Sequence, residues 1–115
     1  MHVAVLLASA LISFGRTGGN IIPYTVSVAQ TGAVTTSGPV TAPRAIPVPA
    51  VNGLLVLARA EGFSTLPARI QCAGVHPDVA GTFVSIAGRT VISHGACNRQ
   101  FNELYAVLRA VAGAS

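Results

Sequence analysis

Apolar and polar positions along the first third of the chain predict three strands. Residues 11–16 form a short, mostly apolar run, and residues 24–29 alternate between larger apolar and smaller side chains, as in a strand with one buried face. A glycine-containing turn separates these two runs. Thr31-Gly32 then predicts a hairpin turn, with its partner strand over residues 33–40.

The middle of the chain changes from an extended connector to a helix. Four prolines, at positions 39, 43, 47 and 49, exclude a regular element between them. Pro49 also suits the first turn of a helix, and Gly62 suits a carboxy-terminal cap. The pattern predicts a helix over residues 49–61, with apolar positions at helical spacing: Val51, Leu54, Leu55 and Ala58.

Two β-type runs around Gly88 give the clearest hairpin pattern in the sequence. A turn at Ala87-Gly88 would set Val84 opposite Val91 and Phe83 opposite Ile92. Asn98 is then a good N-cap for a second helix that ends before Gly113, with an apolar stripe of Phe101, Leu104, Tyr105, Leu108 and Val111. These elements predict a single α+β domain over residues 11–115, an antiparallel sheet covered by two α-helices.

Residues 1–10 have two interpretations. Their apolar run ends in Ala8-Ser9-Ala10, which is typical of a secretory leader with its small-residue cleavage site. The same branched apolar residues would also suit a buried first strand. Under the first interpretation, the residues before about Leu11 are not needed for the fold.

Composition narrows the classes of function. Hydrophobic residues make up 51% and charged residues 9% of the chain, which excludes a disordered protein. The net charge is +4, and all seven basic residues are arginines spread along the sequence, so no basic cluster favours nucleic acid. The longest apolar run is about ten residues, against about twenty for a membrane span, so no integral membrane insertion is expected. Three scattered acids and the absence of lysine indicate a protein without catalytic residues or cofactors.

Two cysteines flank the predicted hairpin. A bridge between Cys72 and Cys97 would tie its two ends together, so a disulfide and an extracytoplasmic location are predicted. The alternative is a zinc site, because Cys72 with His76, and His94 with Cys97, are spaced as two pairs of ligands.

Several short motifs follow one another in an order that resembles the emfourin family. They are Ser13-Phe14-Gly15-Arg16-Thr17-Gly18-Gly19, Gly62-Phe63-Ser64-Thr65-Leu66-Pro67-Ala68, Asp78, Gly88-Arg89-Thr90 and the final helix at residues 101–111. The resemblance spans about residues 12–112. It implies a small secreted bacterial protein that inhibits thermolysin-like zinc metallopeptidases.

We therefore expect a non-enzymatic extracytoplasmic binding protein whose partner is a secreted peptidase that it inhibits. Two loops are candidate contact surfaces, because glycines let the backbone approach a partner and the second loop lies beside Cys72. The first loop contains Arg16, Thr17, Gly18, Gly19 and Asn20, and the second contains Gly74, Val75, His76, Pro77 and Asp78. The alternative is an exported structural or envelope-associated domain without inhibitory activity, which would present an extended apolar patch.

Overall fold

Six strands and two helices make up the protein in a computed structural model, which describes residues 10–76 and 78–115. The strands are β1 (Ile12–Arg16), β2 (Tyr24–Val28), β3 (Val34–Ser37), β4 (Arg69–Gln71), β5 (Thr82–Ile86) and β6 (Arg89–His94). The helices are α1 (Val48–Ala60) and α2 (Arg99–Ala112), and a 3-10 turn covers Phe63–Thr65. Both interpretations of the amino-terminus concern residues 1–10, of which residues 1–9 lie outside the described residues, as does Pro77.

The strands form one sheet in the order β3-β2-β1-β5-β6-β4. All neighbouring strands are antiparallel except β4, which pairs in parallel with β6. The β5–β6 hairpin has the register predicted from its two-residue turn, with Val84 opposite Val91 and Phe83 opposite Ile92. β1 lies in the interior of the sheet, so segments far apart in sequence become neighbours on its two sides.

One face of the sheet packs against both helices to form the hydrophobic core. Phe14 on β1 lies between Val26 on β2 and Val84 on β5, and all three side chains are fully buried. The helices contribute the buried residues Val51, Leu54, Ala58, Phe101, Leu104, Leu108 and Ala112. On the opposite, polar face the hydroxyls of Ser13 and Ser27 lie 3.2 Å apart. The α+β class predicted from the sequence is confirmed.

Local sequence determines where the helices start and stop. The Asn98 side chain accepts a hydrogen bond of 2.9 Å from the Phe101 amide and so caps α2. Gly113 after α2 and Gly62 after α1 both adopt left-handed backbone, with φ of 67° and 72°. All three caps are as the sequence predicts. Neither helix in the described ranges has the length and apolar character needed to cross a membrane.

Some element bounds differ from the predicted ones. The strand predicted over residues 33–40 covers Val34–Ser37, because Gly38 has a φ of 85° and Pro39 cannot continue the ladder. The helix predicted over 49–61 runs over Val48–Ala60. Val111 was predicted on the buried stripe of α2, but it is 37% exposed and Ala112 is buried instead. Ala112 follows Leu108 at i+4, which continues the stripe along the helix.

The sequence patterns did not predict β4 or the 3-10 turn before it. Arg89 on β6 holds this turn against the sheet by donating hydrogen bonds to the carbonyls of Phe63, at 3.1 Å, and Leu66, at 2.5 Å. Its guanidinium also lies 5.6 Å from the centre of the Phe63 ring. Three residues are too few to show an alternating pattern, so β4 becomes visible only through its pairing with β6.

Candidate functional site

The first candidate loop lies beside Asp78, the last residue of the second candidate loop, at one end of the sheet. β1 ends at Arg16 and its antiparallel neighbour β5 begins at Thr82, so the segment after β1 and the segment before β5 leave the sheet side by side. The Thr17 amide donates to the Gly81 carbonyl at 2.9 Å, and the Thr17 hydroxyl accepts from the Gly81 amide at 2.8 Å. We call residues 17–22 together with residues 78–81 the loop pair.

Close packing between backbones holds the loop pair together at its outer end. The Asn20 side-chain oxygen accepts a hydrogen bond of 3.0 Å from the Ala80 amide. Gly19 has a φ of 149°, and a Cβ atom there would lie 2.7 Å from the Asp78 carbonyl oxygen. Only glycine fits both requirements at this position. The glycine identified in the sequence as a point of close backbone approach therefore serves contact within the protein.

A disulfide between Cys72 and Cys97 lies at the base of the second loop, as predicted from the sequence, with the two Cα atoms 5.7 Å apart. Cys72 follows β4 and Cys97 precedes α2, so the bridge joins the sheet to a helix start. The alternative zinc site of Cys72, His76, His94 and Cys97 is wrong, because the disulfide uses both sulfur atoms. Within the described ranges, no three His, Cys, Asp or Glu side chains are grouped as metal ligands.

The second loop turns away from the disulfide and returns to β5. Gly74 has a φ of 81° and makes the turn, and Val75 packs half-buried near Cys72. The His76 ring and the Asp78 carboxylate are hydrogen-bonded to each other, and both side chains are largely exposed. The Val79 amide donates to the His76 carbonyl at 3.1 Å, which closes a turn before the loop reaches β5.

Arg16 holds the first loop in place from a half-buried position. Its Nε and Nη2 atoms donate to the Ile22 carbonyl at 3.0 and 2.6 Å, and its guanidinium lies 5.0 Å from the centre of the Tyr24 ring. Arg16 is thus a positioning residue, and Thr17 and Val75 are likewise half-buried. The exposed members of the predicted contact set are Gly18, Gly19, Asn20, Gly74, His76 and Asp78.

The loop pair also carries exposed aliphatic side chains that sequence reasoning missed. Ile22 is 68% exposed, Ile21 is 45% exposed and Val79 is 38% exposed. An adjacent pair of isoleucines within a turn of glycine, asparagine and proline could have indicated them, because branched apolar residues are rarely placed in a turn for its own geometry.

A shallow cleft of about 350 Å³ adjoins the loop pair, between the ends of β5 and β6 and the first turns of α2. The Tyr105 hydroxyl lies on this side and is 2.6 Å from the Tyr24 hydroxyl. Burial, and then the hydrogen bond with Tyr24, raise the pKa of Tyr105 above its usual value, so the phenol stays neutral. Ser93 is buried and donates to the Gly95 carbonyl at 3.0 Å, so its hydroxyl is engaged away from the neighbouring His94.

A second groove, of about 480 Å³, lies between α1, the 3-10 turn and the β5–β6 turn. Its lining is mostly apolar and includes Leu11, Leu55, Phe63 and Ile86, with Arg89 at one side. It lies away from the loop pair, because the β5–β6 turn is at the other end of those strands.

Comparison with protein-family models, curated proteins and solved structures finds no match to this chain.

Proposed function

We propose that this protein is a non-enzymatic extracytoplasmic inhibitor that occludes the cleft of a secreted peptidase with its loop pair. The observation that carries the proposal is the bracing of the two loops. Thr17 and Asn20 join them through three hydrogen bonds of 2.8 to 3.0 Å. A loop that is already ordered loses little conformational entropy on binding, which favours a tight complex.

The resemblance to emfourins supports thermolysin-like zinc metallopeptidases as the target class. The disulfide supports an extracytoplasmic location, because such bridges persist in oxidising compartments. The sulfur atoms of Cys72 and Cys97 are bonded to each other, and the Ser93 hydroxyl donates a hydrogen bond to the Gly95 carbonyl. None of these three groups is positioned as a nucleophile, which supports a non-enzymatic role.

The proposal can be tested by residual peptidase activity after preincubation with the pure protein at up to about 50 µM. We expect inhibition of thermolysin-like enzymes, with serine and cysteine peptidases as class controls. The matched control is the same protein after reduction and alkylation of its cysteines, which should inhibit less because the base of the second loop is released. Full activity across the whole panel would contradict the proposal.

The apolar groove favours a second candidate, an exported structural or envelope-associated domain. Leu55 and Phe63 line a largely apolar surface, which a stable partner could cover. In that case the protein would leave every peptidase active, and a charged substitution at Leu55 would abolish partner association without affecting the loop pair.

A further inference from the structure

The side chains of the two exposed isoleucines on the loop pair do not belong to the hydrophobic core. Ile22 exposes 68% of its surface, although the large aliphatic residues of the flanking strands β1 and β2 are buried. Apolar surface that is exposed to water contributes no hydrophobic stabilisation to the fold. Contact with a partner would remove this surface from water and so favour binding. Ile21 and Val79 are exposed on adjoining segments, because residues 19–20 pack against residues 78–80.

The backbone of Ile22 is held in one position although its side chain is free. Arg16 donates two hydrogen bonds to the Ile22 carbonyl, and the Arg16 guanidinium is itself placed over the Tyr24 ring. Pro23 follows, and a residue before proline is restricted to extended backbone. A residue with restricted backbone, a fixed carbonyl and a projecting side chain can present that side chain to the pocket of a partner at low entropic cost.

The charges near Ile22 do not oppose an apolar contact. The Arg16 guanidinium is turned towards the Ile22 carbonyl and Tyr24. On the neighbouring segment, the Asp78 carboxylate is paired with the His76 ring. The side chain can therefore be desolvated by a partner without leaving either of these charged groups newly unpaired.

From this arrangement we infer that Ile22 is the anchor side chain of the inhibitor and enters an apolar specificity pocket of the target peptidase. Ile21 and Val79 pack at the rim of that pocket. The inference rests on the proposed inhibitory function and narrows it: the target is an endopeptidase whose pocket beside the scissile bond accepts a branched aliphatic side chain. Peptidases with charged specificity pockets are not expected to bind.

The test compares inhibition by substituted proteins. Ile22→Ala removes most of the anchor and should weaken inhibition of a thermolysin-like peptidase about 30-fold, and Ile22→Asp should weaken it at least about 100-fold. Ile22→Leu keeps the apolar volume and should stay within about threefold of the parent protein. Arg16→Met releases the Ile22 carbonyl and should raise the inhibition constant about tenfold, mainly through faster dissociation.

The matched control is Val56→Ala on α1, since Val56 is an aliphatic residue of similar exposure, 60%, on a different element. Thermal unfolding should be unchanged for both alanine variants, because exposed side chains contribute little to stability. If the parent protein inhibits and Ile22→Ala and Ile22→Asp inhibit equally well, the anchor assignment is overturned while the inhibitory function stands. Equal weakening by Val56→Ala also overturns it. A parent protein that inhibits no peptidase overturns both proposals.

Discussion

Removing the disulfide is the perturbation whose effect can be worked out most directly. The bridge closes a loop with a sequence separation of 25. In the chain-entropy model, a loop of this length restricts the unfolded chain by roughly 3.5 kcal/mol at 25 °C. A single small domain has a free energy of unfolding of about 5–15 kcal/mol, so the Cys72→Ala/Cys97→Ala double variant should lose a large fraction of its stability.

Urea unfolding followed by circular dichroism measures this loss. The double variant should unfold at lower urea, and its slope with urea should be larger because the uncrosslinked unfolded chain exposes more surface. In excess reductant, the free energy of unfolding of the parent protein should fall towards that of the double variant. Reductant should not change the free energy of unfolding of the variant itself.

The choice of alanine matters at Cys72, which is buried, because a serine hydroxyl there would add a desolvation cost unrelated to the bridge. A loss below about 1 kcal/mol with an unchanged slope would refute the reasoning. It would mean that the unfolded chain gains little freedom when the bridge is absent.

Four further predictions concern local packing and helix capping. The raised pKa of Tyr105 means that its contribution to stability is complete below the ordinary tyrosine pKa near 10 and is lost as the pH rises above it. Urea unfolding at about pH 9 and 11 should show this loss, and Tyr105→Phe should reduce it. Gly53→Ala, at an exposed position of α1, should raise the free energy of unfolding by about 0.5–1 kcal/mol, since an added Cβ meets no atom within 4 Å. Gly15→Ala on β1 should lower it by more than about 3 kcal/mol, because the Cβ would overlap the Tyr24 carbonyl. Asn98→Ala should cost about 1 kcal/mol by thermal or urea unfolding, through loss of the α2 cap.

Elements with a strong local pattern could be predicted from the sequence. The β5–β6 hairpin follows from two β-type runs around Gly88, and its turn length fixes the register. Asn98 and Gly113 at the ends of α2, and Gly62 after α1, were likewise predictable, because caps depend on a few adjacent residues.

Features that depend on strand order could not be predicted in the same way. The contact of the first candidate loop with Asp78 and Ala80 requires β1 to lie beside β5, and nothing local to either strand specifies that neighbour. The disulfide pairing was predictable because the sequence holds only two cysteines. The role of Arg16 was not, since a side chain that bonds a carbonyl six residues away has no sequence pattern.

In the loop pair, the residues that stabilise the end of the sheet are different from the residue proposed to contact a partner. The side-chain oxygens of Thr17 and Asn20 accept hydrogen bonds from backbone amides of the other segment, and Gly19 allows a close approach that other residues would disrupt. Ile22 is different: its main chain is held by Arg16, but its side chain contributes no burial to the core. In the proposed complex, substitution at Ile22 would change which pocket the surface fits at little cost in stability, whereas substitution at Gly19 would separate the loops. In the proposed inhibitor, a change of the exposed side chain at position 22 would alter specificity for the peptidase pocket while the contacts that hold the loop pair together stay the same.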